Sequence, residues 1–223
     1  MKVLVLGDGL LGSEIVKQTG WNYFSRKKDG LDITDYHYML SIFPDYDIIV
    51  NCIANTNSYS DDKKAHWDTN YEFAALVSDI TNTELIKLVH ISTEFVYANN
   101  SIPSTEEDLP QPDTTWYAYT KLLADEYIKL NHSNYLICRE LHKPNPFPYD
   151  KVWKVQTSGD TVDKIAELII KLINKDAQGV FNIGTGDKWL KELAPNAEEI
   201  EAPTHVPKDT RMNLDKLNKF LND

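Results

Sequence analysis

Cysteine is nearly absent from this chain: two residues, Cys52 and Cys138, among 223. Neither has a CxxC partner, and each sits in or at the end of an apolar strand-like run, which argues against a disulfide framework and predicts buried, reduced thiols. Histidine is too scattered for metal chemistry. His37, His66, His90, His132, His142 and His205 show no HxxxH or HExxH spacing, so no metal site is expected. Positive charge is also scarce, with 23 Lys and Arg against 34 Asp and Glu and a net charge of −11. That balance repels nucleic acid and anionic membranes, so a phosphate-bearing ligand must be held by a local cluster of donors. The first strand pattern leaves no room ahead of it for a signal-peptide apolar region or a membrane span, and a cytoplasmic protein with a small-molecule ligand is expected.

What is present is an alternation of short apolar runs with helical patterns. Strands are predicted over about 2–6, 47–53, 86–91 and 135–139, separated by helices over about 10–19, 64–80 and 117–131. Val-Leu-Val-Leu, Ile-Ile-Val and Leu-Val-His-Ile are nearly continuous in apolar residues, which suits a parallel sheet covered on both faces. Beyond Arg139 the texture changes. Pro144-Asn-Pro-Phe-Pro148 breaks regular structure, and only a helix over about 161–174, a strand over Val180 to Ile183 and a final helix over Met212 to Leu221 are readily seen. The expected organisation is a nucleotide-binding domain over 1–140 and a reduced substrate lobe over 141–223.

Two motifs carry chemistry. Gly7-Asp-Gly-Leu-Leu-Gly12 follows the first strand and opens the first helix, the context a dinucleotide loop requires. Gly7 allows a tight turn, Gly9 lets the backbone approach a pyrophosphate, Gly12 permits close helix–sheet packing, and the helix start at Leu10 and Leu11 offers unpaired N–H groups to phosphate. The second strand, predicted over Asn22 to Phe24, ends in Ser25-Arg26-Lys27-Lys28 where an NAD-specific fold commonly has an acidic residue. Basic side chains there favour NADPH through its 2′-phosphate, Asp29 leaves NADH open, and a merely solvated loop is the alternative.

The second motif is Tyr117-Ala-Tyr-Thr-Lys121, at the start of an amphipathic stretch and downstream of Ser92-Thr93 at a strand's carboxyl end. A tyrosine and lysine four apart on a helix share a face, and a nearby ammonium lowers a phenol's pKa from ~10. Tyr23 to Lys27 has the same spacing but lies on the predicted second strand, so it is read as accidental.

With Leu31-Asp-Ile-Thr-Asp35, Ile49-Val-Asn-Cys-Ile-Ala-Asn-Thr56, Asn70, and His90-Ile-Ser-Thr-Glu-Phe-Val-Tyr97, these motifs stand in an order that resembles the extended short-chain dehydrogenase/reductase superfamily, and within it the dTDP-4-dehydrorhamnose reductase family. The resemblance covers about the first 140 residues and continues weakly through Gly179 to Gly184 and Val206 to Leu217. It implies an α/β fold, a Rossmann-like doubly wound parallel sheet with a small C-terminal substrate lobe. It also implies NADPH-dependent reduction of a 4-keto-6-deoxy nucleotide sugar for a surface polysaccharide. Thr93, Tyr117 and Lys121 would form the catalytic triad, with Tyr117 giving the proton, Lys121 tuning it and holding the nicotinamide ribose, and Thr93, or second to it Ser92, bonding the ketone oxygen. Asp32 and Ile33 would contact the adenine side, and Ala54 and Asn55 the ribose and nicotinamide side, with Asn70 beside them.

The chain departs from the family in its glycine loop, which is one residue shorter, in Glu94 where aspartate is usual, and in its trimmed second lobe. Lys208 and Arg211, the clustered cations of the last segment, are candidate partners of a substrate pyrophosphate, or else surface charges. Two other readings stay open: an epimerase or epimerase/reductase using the same Thr, Tyr and Lys, and a non-catalytic nucleotide-binding subunit that regulates a partner. The assembly state, a homodimer included, is left open.

Overall fold

The computed structural model describes residues 1–101 and 103–222. Six parallel strands make the central sheet: β1 Val3–Leu6, β2 Asn22–Phe24, β3 Ile48–Asn51, β4 Lys87–Ile91, β5 Tyr135–Glu140 and β6 Gly179–Ile183, in the order β6-β5-β4-β3-β1-β2. Because successive side chains on a strand face opposite ways, Val3 and Val5 enter one core with Ile48, Val50, Val89 and Leu136, whereas Leu4 and Leu6 enter the other with Ile49, Leu88 and Ile137. Helices cover both faces. Helix α1 (Leu10–Thr19) packs its Leu11 and Ile15 with Ile165, Ile169 and Leu172 of the Val162–Asn174 helix on the first face. On the second face Phe73, Val77 and Ile80 of the Phe73–Thr83 helix meet Ile128 of the Trp116–Asn131 helix. Each such fully buried side chain stabilises the fold by roughly 1.5–3 kcal/mol.

The stretch beyond residue 140 does not stay together as one lobe, as the sequence reading had it. Strand β6 pairs with β5, and the Val162–Asn174 helix packs on α1, so both return to the first domain. They do so because β6 is buried along nearly its whole length and that helix offers a continuous apolar stripe. The final helix, Asp215–Asn222, docks beside β6 with Leu217 buried and the Phe220 ring 5.3 Å from that of Phe181.

What remains of the second lobe is small. Lys151–Trp153 pairs with Glu198–Ile200, and Gln156–Thr157 lies between Lys188–Trp189 and Asp209–Thr210. Its own core of Val152, Val155, Leu190, Ala194, Ala197, Ala202 and Val206 leans on Tyr59 from the first domain. Among the described residues no helix is long and apolar enough to cross a membrane. Both cysteines are free thiols, Cys138 buried and Cys52 partly so.

Candidate active site

The carboxyl ends of β1, β3, β4 and β5 open onto a cavity of about 380 Å³, the place where parallel sheets bind ligands. Its floor on one side is the glycine turn. Gly7 has a φ of +98°, in the region that favours glycine, and its N–H bonds the Phe24 carbonyl at 2.8 Å. Gly9 is the N-cap of α1 and brings no capping side chain, so the first N–H groups of the helix have no side-chain partner there. A Cβ built on Gly9 would meet no protein atom within 4 Å, so packing does not demand glycine at that position. A backbone left bare towards open space, at an uncapped helix start, fits a dinucleotide pyrophosphate. Gly9, Leu10, Leu11 and Gly12 all line the cavity.

The opposite wall comes from β4 and the Trp116–Asn131 helix. Ser92 and Thr93 follow β4 and are buried. Thr93 caps the short turn Glu94–Tyr97 by accepting the Phe95 N–H at 3.3 Å, and Ser92 Oγ has no hydrogen-bond partner among the described residues. Thr115 caps the helix by accepting the Ala118 N–H at 3.2 Å, which sets Tyr117 in the first turn and Lys121 one turn later. The Tyr117 ring is wedged edge-on between His66, centroids 6.3 Å apart, and Phe95, 5.9 Å apart.

Tyr117 and Lys121 share a face of the helix, one turn apart, and both line the cavity. The Lys121 Nζ donates to the Ile91 carbonyl at 2.5 Å and lies 3.3 Å from His90 Nε2. Burial pushes the Tyr117 phenol above its ordinary value, opposed by the neighbouring Thr93 hydroxyl. Burial also brings Lys121 down to about 8, against the pull of Asp125, Glu140 and Cys52. The phenol is therefore protonated at neutral pH.

Other expected residues fall into three groups. Ala54, Ser92, Thr93, Glu94, Tyr117 and Lys121 line the cavity with the glycine loop. Asn70 acts behind it: its Oδ1 accepts the Asn55 N–H at 2.7 Å and its Nδ2 donates to the Asn55 carbonyl at 3.2 Å, pinning the Ala54–Asn55 loop. Asn70 lies in a π-helical turn, Trp67–Glu72, that also turns His66 inward. Ser25, Arg26, Lys27, Asp32 and Ile33 lie off the cavity wall, at the end of β2 beside the glycine turn, where the Leu31 N–H bonds the Ser25 carbonyl at 3.3 Å. Ser25 Oγ accepts the Lys28 N–H in capping Arg26–Asp29, and Arg26, Lys27 and Lys28 beside it are exposed cations that a phosphate there would meet. Asp32 is held by the Thr34 N–H and hydroxyl.

The two cations of the last segment are not brought to the cavity wall. Arg211 is bound by Asp209 at 2.8 Å and Asp187 at 3.2 Å, and Lys208 is exposed. Glu94, by contrast, ties the lobes together: Thr157 and Thr210 hydroxyls donate to its two oxygens at 3.0 and 2.8 Å.

The sequence reading missed Glu140, Leu141, His142 and Lys143, which complete the wall. Glu140 is buried and paired with His142 at 2.9 Å; that carboxylate outweighs burial and raises the imidazole's pKa. Charged residues directly after the last strand of the predicted nucleotide-binding half were the available signal. No group of three metal-ligating side chains occurs among the described residues.

The family described as RmlD substrate binding domain matches residues 1–141. A curated relative, the spore coat polysaccharide biosynthesis protein SpsK of Bacillus subtilis (strain 168), is 31% identical over 148 residues, 62% of this chain and 52% of that protein. The match thus spans about half the length of that relative. Among solved structures, a dTDP-4-dehydrorhamnose reductase of Clostridium acetobutylicum superposes with a TM-score of 0.83 at 19% identity, covering 98% of this chain and 92% of that one. The dTDP-4-dehydrorhamnose reductase of Bacillus anthracis in complex with NADP gives 0.82 at 20% identity over 98% and 93%. WbmH of Bordetella bronchiseptica in complex with NAD+ gives 0.81 at 15% identity over 98% and 91%. These structures share the fold, and with the family match over more than half of its length the chain belongs to the RmlD substrate binding domain family of the extended short-chain dehydrogenase/reductase superfamily.

Proposed function

We propose that this chain is an NADPH-dependent reductase of a 4-keto-6-deoxy nucleotide sugar. The observation that carries the reading is the convergence of the glycine loop, Thr93, Tyr117 and Lys121 on one cavity at the strand ends. In this reading residues 1–140 hold the cofactor, with Arg26 and Lys27 selecting the 2′-phosphate over NADH, and the segment from Glu140 onward shapes the sugar site. Two fold neighbours, solved in complex with NADP and with NAD+, support a dinucleotide in this fold.

A reduced nicotinamide bound beside this wall would supply hydride to the sugar's ketone carbon. The protein's part is the proton and its placement. Tyr117, kept protonated by burial, donates its phenolic proton to the ketone oxygen. The Thr93 hydroxyl, next to Tyr117 on the same cavity wall, donates to the same oxygen and steadies its developing charge. Lys121 places a positive charge behind both, where the phenolate left after transfer is stabilised.

The test follows NADPH absorbance with dTDP- and UDP-linked 4-keto-6-deoxy sugars in parallel. Oxidation of NADPH that depends on one of the sugars is expected. Binding of NADPH without turnover on either would replace the reductase by a nucleotide-binding regulator.

A further inference from the structure

Lys121 is 2% exposed, and its ammonium has to be oriented inside the protein. An ammonium has three donors. One goes to the Ile91 carbonyl at 2.5 Å and a second faces His90 Nε2 at 3.3 Å, which leaves one for the cavity that Lys121 lines. His90 is itself 1% exposed and meets Asn51 Nδ2 with its other nitrogen, Nδ1, at 3.4 Å. Asn51 is fixed from behind, because its Oδ1 accepts the Ile53 N–H at 3.1 Å. A buried row therefore runs from the end of β3 through β4 to the helix: Asn51, His90, Lys121.

A neutral imidazole has one acceptor and one donor. Here two donors, the Asn51 amide and the Lys121 ammonium, face its two nitrogens, so only one of them is accepted at a time. The ion–dipole bond to an ammonium is roughly twice as strong as one to a neutral amide, which favours Nε2 as the acceptor and places the ring proton on Nδ1. Burial together with the Lys121 charge keeps His90 well below its ordinary pKa, so the ring is neutral.

We propose that His90 is a positioning residue for Lys121: its unprotonated Nε2 accepts the ammonium and, with the Ile91 carbonyl, directs the remaining N–H into the cavity. The role rests on the reductase reading of that cavity, but it is measurable without turnover. The groups facing Lys121 are Asp125 on its own helix, Glu140 at the end of β5, Cys52 after β3, and His90 on β4. Among them His90 is the one whose neutral nitrogen contributes a bond without a countercharge.

The test uses the full chain with ¹⁵N-labelled histidine and lysine. In the wild-type protein at pH 7 the His90 spectrum is expected to show the proton on Nδ1. His90→Leu is expected to lower the Lys121 Nζ titration by about one pH unit, and His90→Gln, which restores an acceptor, to recover most of that shift. With a reactive keto sugar, His90→Leu is expected to lower kcat about tenfold while KM for NADPH changes less, again recovered by His90→Gln. A wild-type ring carrying its proton on Nε2 at pH 7, or a folded His90→Leu protein whose Lys121 titrates as in the wild type, would overturn the assignment. Absence of turnover by the wild type on every keto sugar would count against the reductase reading alone.

Discussion

Gly12 turns its bare α-carbon onto the carbonyl of Gly7: a Cβ built there would lie 2.2 Å from the Gly7 oxygen and 3.2 Å from its carbon. The contact is backbone against side chain, so neither partner can swing away. Gly9, two residues from Gly7, would meet nothing within 4 Å. One glycine is required by the fold and the other is not.

That difference yields a paired prediction. Gly12→Ala should destabilise the protein by about 1–3 kcal/mol in urea unfolding, the usual cost of forcing a methyl into packed structure. Gly9→Ala should leave stability within about 0.5 kcal/mol, yet weaken NADPH binding about tenfold or more in a fluorescence titration. Unchanged NADPH affinity in Gly9→Ala would reduce the loop to a structural turn.

Arg26 and Lys27 should decide between the two dinucleotides. Both are exposed at the end of β2, whereas the ammonium of the neighbouring Lys28 donates to the Tyr23 carbonyl and lies over the Tyr23 ring. Replacing both by alanine should raise KM for NADPH about tenfold, since each phosphate contact is charge-assisted, and leave KM for NADH nearly unchanged. Equal effects on both cofactors would place the 2′-phosphate elsewhere.

Much of this was legible in the sequence, for identifiable reasons. The sheet was, because runs such as Val-Leu-Val-Leu are buried on both faces and leave a continuous apolar signal. The cavity wall from Gly9 to Gly12 and from Ser92 to Lys121 was, because local motifs on a strand–turn–helix frame place themselves. The internal pairing of the small lobe was not. Its strands are two or three residues long and pair across distant segments, as Gln156–Thr157 does with Asp209–Thr210. Glu140, His142 and Lys143 carry no motif, and only the fold buries the Glu140 carboxylate against the cavity. The further partners of the Lys121 ammonium, His90 and the Ile91 carbonyl, were not legible, because spacing along one helix says nothing of what β4 brings to it.

Glu94 links the two parts of the molecule. Its carboxyl holds Thr157 and Thr210, both buried, and burial raises its own pKa. Glu94→Ala should cost about 1–3 kcal/mol, from lost hydrogen bonds and two hydroxyls left without that partner. Glu94→Gln should stay within about 1 kcal/mol, because rotatable hydroxyls can pair with an amide. Hydrogen exchange at Thr157 and Thr210 should quicken in the alanine variant and stay slow in the glutamine one. Equal protection in both would mean that the second lobe is held by its apolar contacts alone.

Activity and stability should separate at alkaline pH. Lys121 loses its proton as pH rises through about 8 in the folded protein, below the ordinary lysine value of 10.5. If the ammonium serves the reaction, kcat should fall above about pH 8. Its contribution to stability runs the other way. Between those two values the unfolded chain binds more protons at this site than the folded one, so stability from Lys121 increases with pH. Circular dichroism should show an intact fold where the rate has already declined, and a rate that stays level to pH 9.5 would remove the Lys121 charge from the mechanism.

The most direct test of the central claim is single-turnover NADPH oxidation by the wild type and by Tyr117→Phe, on the dTDP- or UDP-linked 4-keto-6-deoxy sugar that the wild type reduces. If the Tyr117 phenol supplies the proton, the variant should bind NADPH as the wild type does and react at least ~10²-fold more slowly. A Tyr117→Phe protein that oxidises NADPH at close to the wild-type rate would contradict the account.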